Sequence, residues 1–155
     1  MKDSIIETWH INNRVNLMLI EAIRDEGFEC TLSTRGGNTV ARQFAHLHDV
    51  RLLKLEKFDK ELLQGLSKIK KEESVHRAKL TTHLNASAEA VARMLERGAA
   101  DSGKIKGFKR GVITLLGYFI CHEAHHRGNI LLTLKQGGYK IPRATQYGIW
   151  AWNQI

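Results

Sequence analysis

Proline is almost missing from this sequence. The single one is Pro142, so the 141 residues before it contain no obligatory helix breaker. Residues suited to a long strand are few, and no apolar–polar alternation persists, which leaves an all-α chain as the expectation. Long hydrophobic runs are also missing: no stretch approaches the ~18 uncharged apolar residues of a membrane-spanning helix. Met1-Lys2-Asp3-Ser4 lacks the apolar run of a secretory signal. Cysteine is scarce, and Cys30 and Cys121 have no CxxC partner. One disulfide between them stays open, but a reduced, cytoplasmic protein is the expectation.

What is present fits one domain. A chain of 155 residues is long enough for a full core, so residues 1–155 are read as a single unit. The net charge of +8 raises a nucleic-acid partner, but the basic residues are interspersed with acids. The densest run, Lys68-Ile69-Lys70-Lys71, is followed at once by Glu72-Glu73. That pattern favours a solvated basic surface over a nucleic-acid site.

Four amphipathic segments follow one another. The first spans residues 3–24, with Asp3 or Ser4 as N-cap, an apolar stripe of Ile11, Val15, Met18 and Ala22, and Gly27 as terminator. Residues 27–38 read as a loop containing Gly36 and Gly37. The second segment spans 40–66 behind Asn38 or Thr39 as cap. Phe44, Leu47, Leu55, Phe58 and Leu62 share its inner face, and Arg51 sits in that stripe where a leucine is expected. A charged connection over 65–80 leads to a third segment, capped by Thr81 or Thr82 and ending at Arg97, with Ala88, Val91 and Leu95 inward. The fourth spans 108–136 and is closed by Gly137-Gly138. The tail, 139–155, carries the proline, Trp150 and Trp152, and is expected to pack across the bundle or to join a dimer interface. Four such segments imply a four-helix bundle.

The chemistry is concentrated in Cys121-His122-Glu123-Ala124-His125-His126-Arg127-Gly128-Asn129. His122 and His126 are four apart and point the same way from a helix, so they suit one metal ion without bending the backbone. Val112, Leu116, Phe119, Glu123, Ile130 and Leu134 define the core side, with Glu123 at its centre, both histidines on its margin and His125 turned away. The same letters spell H-E-x-x-H, the zincin protease motif, but the chain offers no sheet to bind a peptide substrate. A catalytic site usually needs a third protein ligand. Of the other histidines, only His46 and His48 lie well inside a segment lining the same core. Periodicity alone chooses His48, which falls nearer the apolar face.

Two stretches resemble a known family. Thr39-Val40-Ala41-Arg42-Gln43-Phe44-Ala45-His46-Leu47 resembles the part of DinB/YfiT-like proteins that runs from a capping Ser or Thr to a metal-binding histidine seven residues later. His122 to Asn129 resembles their H-x-x-x-H-R-G-Q segment, with Asn129 where Gln is usual. The resemblance implies a four-helix bundle, frequent homodimers, and a three-histidine site for zinc, nickel or a similar ion (iron and manganese included). Its ligands carry over to His46, His122 and His126. It also implies metal-dependent transfer of a low-molecular-weight thiol to a small-molecule substrate, or hydrolysis at the same ion. Glu123 is then the candidate general base, or a hydrogen-bond partner of a ligand imidazole, and Arg51 and Arg127 are candidates to hold an acidic substrate. A non-catalytic metal- or ligand-binding bundle is the other reading.

Overall fold

A computed structural model describes residues 1–35 and 38–155 of the chain. Gly36 and Gly37, read above as loop residues, lie outside the described residues. Among the described residues four long helices make the bundle: α1 (Lys2–Ala22), α2 (Val40–Phe58), α3 (Arg77–Ala100) and α4 (Val112–Gln136), with a short α5 (Arg143–Gly148) in the tail. Single 3-10 turns, Asp25–Glu29 and Lys60–Leu63, follow α1 and α2. No strand occurs among the described residues, only one isolated bridge between Ile105 and Phe108. Among the described residues no helix is long and apolar enough to cross a membrane.

The ends of these helices differ in part from expectation. Thr39 caps α2 as read, its side chain accepting from the Arg42 amide at 3.3 Å. α1 starts earlier than expected, with Met1 at the N-cap position and no side-chain cap from Asp3 or Ser4. It also stops before Gly27, which is buried in the following 3-10 turn. The Arg77 guanidinium takes over the ending of α1, donating to the carbonyls of Ile20, Glu21 and Ile23. α3 begins ahead of Thr81 and Thr82, because His76 Nδ1 accepts from the Lys79 amide and supplies the cap. α4 begins at Val112 rather than 108. Gly111 at φ 84° turns the chain into it, and a Cβ there would stand 2.6 Å from the Gly103 carbonyl oxygen. Gly137 and Gly138 close α4 as expected, with the Tyr139 amide returning to the Leu134 carbonyl at 2.8 Å.

The expected stripe of α1 is displaced. Only Val15 of Ile11, Val15, Met18 and Ala22 is buried; the inward line runs through Ile5, Trp9, Asn12, Asn16 and Leu19. A count of apolar residues rejects that line, because two of its members are asparagines.

The core falls into two apolar clusters. One holds Val15, Leu19, Phe44, Leu47, Leu84, Ile130 and Leu134, the other Trp9, Leu55, Val91, Leu95, Leu116 and Phe119. Each such side chain contributes about 1.5–3 kcal/mol on burial. The Trp9 indole N–H is satisfied by the Ala88 carbonyl at 2.8 Å. The tail packs on the first cluster through Ile141 and Ile149, with Tyr139 and Ile155 at its edge, whereas Trp150 remains 78% exposed. Between the clusters all four long helices turn polar side chains inward: Asn12, Asn13 and Asn16 from α1, His48 and Arg51 from α2, Ser87 from α3, and Glu123 and Arg127 from α4. This polar waist sets the level at which the site lies.

Candidate metal centre

The Thr39 cap starts α2 so that His46 lies in its second turn, on the exposed side, facing α4. One helical turn on α4 separates His122 from His126. The three rings meet: centroids are 4.7 Å apart for His122–His126, 4.8 Å for His46–His126 and 5.4 Å for His46–His122. One ring nitrogen from each lies within 4.8 Å of the other two. The structure thus brings His46, not His48, to the α4 pair. His48 does point into the core, as periodicity required. It is fully buried, with Nε2 at 2.9 Å from the Ser67 carbonyl and its ring 4.9 Å from His83. His125 is exposed and pairs with Asn129 at 3.2 Å.

The electrostatics of the cluster suit a cation. Burial, then the charges that His122, His46 and His125 would carry, push the His126 pKa down to about 4. Burial and then His46 lower that of His122 as well. Near neutral pH both are neutral imidazoles with lone pairs available. His126 Nδ1 is buried with no hydrogen-bond partner among the described residues, a cost that a polar atom rarely bears unless something binds beside it. Three neutral nitrogen donors without a carboxylate fit zinc, nickel, iron or copper better than calcium or magnesium. A cavity of about 540 Å³ opens onto His46 and His126, with Ser33, Gln43, Asn129 and Thr133 in its wall.

The other candidate residues lie behind the cluster. Glu123 is 1% exposed and accepts from Arg51 Nε at 2.7 Å and Nη2 at 3.0 Å, and from the amides of Asn12 and Asn16, both at 2.7 Å. No hydrogen bond joins it to His122 or His126 among the described residues. Burial alone would raise its pKa, but the charge and hydrogen bonds of Arg51, then the Asn16 amide and Arg127, hold it below the usual carboxylate range. Arg51 is fully buried. Besides Glu123 it bonds Asn13 Oδ1 at 3.0 Å, the Leu84 carbonyl at 2.8 Å and Ser87 Oγ at 3.3 Å, and its guanidinium lies 4.7 Å from the Trp9 ring centroid. Arg127 donates to Asn16 Oδ1 at 2.8 Å and stands 4.0 Å from Glu123. Cys30 and Cys121 are free thiols.

Sequence reasoning missed the three asparagines and Ser87, which complete this network. The signal was legible in the seven-residue step from Trp9 to Asn16 and the matching step from Asn12 to Leu19, which place two asparagines in line with buried apolar residues.

An all-helical bundle whose second and fourth helices converge three imidazoles beside an open cavity defines a candidate metalloprotein. The chain belongs to the DinB family, whose model matches residues 1–153. No curated protein and no solved structure matches the chain.

Proposed function

We propose that this DinB-family chain holds one divalent ion, zinc or nickel first, at His46, His122 and His126, and is a metal-dependent enzyme that transfers a small thiol to an electrophilic small molecule. The observation that carries the reading is the convergence of three imidazoles, one with a buried partnerless nitrogen, beside a cavity that reaches His46 and His126. A divalent ion with three neutral ligands supplies a Lewis acid that lowers the pKa of a coordinated thiol or water towards ~7.

The chain's own residues divide the remaining work. His46, His122 and His126 bind, and the hydroxyl and amide groups of Ser33, Gln43, Asn129 and Thr133 orient a molecule in the cavity. Glu123 is positioned as a structural counter-ion. With both oxygens engaged and its pKa depressed, it has little tendency to take a proton, and a general base works best with a pKa near the working pH. This also weighs against a zincin-type reaction, in which that glutamate must reach the ion. Arg51 and Arg127 anchor Glu123 and Asn16 rather than a substrate.

The test begins with elemental analysis after dialysis, expected to give about one divalent ion per chain. His126→Ala should lower metal affinity far more than His125→Ala, and equal effects would remove the site. Metal-dependent turnover on a panel of thiols and electrophiles then separates the enzyme from a bundle that only stores or senses a metal. We also propose a homodimer through the C-terminal tail, supported by the exposed Trp150. Light scattering giving a monomer at micromolar concentration rejects it.

A further inference from the structure

The histidine cluster has two chemically different flanks. Along α4 the order is Tyr118, His122, His126, Asn129 and Thr133; along α2 it is Gln43, His46 and Lys54. The cavity occupies the flank towards Gln43 and Thr133. Its wall carries hydroxyl and amide groups beside the apolar Leu32. The Arg42 guanidinium on it is taken up by the carbonyls of Lys70, Lys71 and Glu73. Among the described residues no acidic side chain lines it.

The opposite flank carries an uncommitted positive charge. The Tyr118 ring stacks on His122 with centroids 5.9 Å apart and planes 10° from parallel. Lys54 Nζ sits 4.3 Å from the Tyr118 centroid. Among the described residues this ammonium makes no hydrogen bond and no ion pair. The ring holds it by cation–π attraction without neutralising it. Glu123, next to His122 in sequence, is turned inward and spent on Arg51. The two arginines of the site are likewise buried and occupied, so among the described residues Lys54 is the cation left for a solute on this flank.

We infer that Lys54, seated on the Tyr118 ring, is an anion subsite of the histidine cluster that receives the carboxylate of a small co-substrate whose reactive end lies at the ion. The inference rests on the metal-centre reading above and gives it a substrate class: one anionic molecule on the Lys54 flank, one neutral hydrogen-bonding molecule in the cavity. Two dissimilar flanks suit a reaction that joins two dissimilar molecules.

The test uses the full chain loaded with cobalt, whose absorption reports thiol coordination, and two probes: 3-mercaptopropionate, which carries a carboxylate, and 2-mercaptoethanol, which does not. Lys54→Met should weaken 3-mercaptopropionate about fivefold, the upper end for one partly exposed ion pair, and leave 2-mercaptoethanol unchanged. Lys54→Glu should weaken it further, Lys54→Arg should restore it, and the preference should shrink as salt rises. Lys57→Met, whose ammonium lies over Phe58 instead, should change nothing. If Lys54→Met weakens both thiols equally, or neither, the subsite is overturned while the metal centre stands. If the unmodified chain binds no cobalt, both readings fall together.

Discussion

The two apolar clusters and the polar waist between them are built by the same four helices, yet they tolerate change differently. In the clusters, Leu95 and Phe119 contribute volume, and a neighbour of similar size could replace either. In the waist, Arg51 alone makes five hydrogen bonds to four residues of three other helices, so no substitution of similar size preserves its contacts. Buried charge is weak support for stability, since desolvation offsets most of the attraction. What the waist adds is discrimination: Glu123 accepts from α1 and α2 at once, and a slip of α4 by one residue would strand it. The histidines that carry the candidate chemistry hang on those two registered helices, α2 and α4.

Four substitutions can break or sharpen this contrast. The largest effect is expected from Arg51→Met, which strands the Glu123 charge in the core and should cost about 3–5 kcal/mol in chemical denaturation. Adding Glu123→Leu to it should recover much of that loss while metal affinity stays reduced. Full recovery of both would mean that the waist does not register the ligands. Next, Leu95→Ala in the second cluster should cost about 2–4 kcal/mol, with the ion content of the folded fraction unchanged. A parallel loss of metal would show that the clusters, too, set the site. Smallest is Glu123→Gln, which keeps the size but turns one acceptor into a donor facing Arg51. About 1–3 kcal/mol should be lost, with turnover per folded molecule preserved. A drop of roughly 100-fold at unchanged stability would instead make Glu123 the proton acceptor.

Much of this was legible in the sequence where a single physical rule applies. The four-helix bundle follows from apolar spacing and from the lack of proline. The His122–His126 pair follows from the geometry of one helical turn. The inward phase of α4 is as read: Val112, Leu116, Phe119, Glu123, Ile130 and Leu134 are all buried. Legibility failed where side chains from distant segments complete one another. The asparagines of α1 look like surface until Glu123 and Arg51 are placed opposite them. Arg77 looks like part of a charged connection until the open carbonyls of α1 come within its reach. Periodicity alone pointed to His48 and the family resemblance to His46, and both residues are used, His46 beside α4 and His48 beside Ser67 and His83.

The three histidines do not have equal standing in the folding of the chain. His122 and His126 are neighbours on one helix, so any state in which that stretch is helical already presents two ligands, even with the rest of the chain unfolded. His46 arrives only when α2 has docked. A metal can therefore gain two contacts without rewarding the native state, because binding to partly unfolded chains cancels that share of its stabilisation. On the proposed metal-binding reading, the thermodynamic link between metal and fold passes through His46, the most exposed of the three. In an unfolded or nascent chain the helical pair would then act as a weak, early trap for the ion, which docking of α2 would convert into the native site.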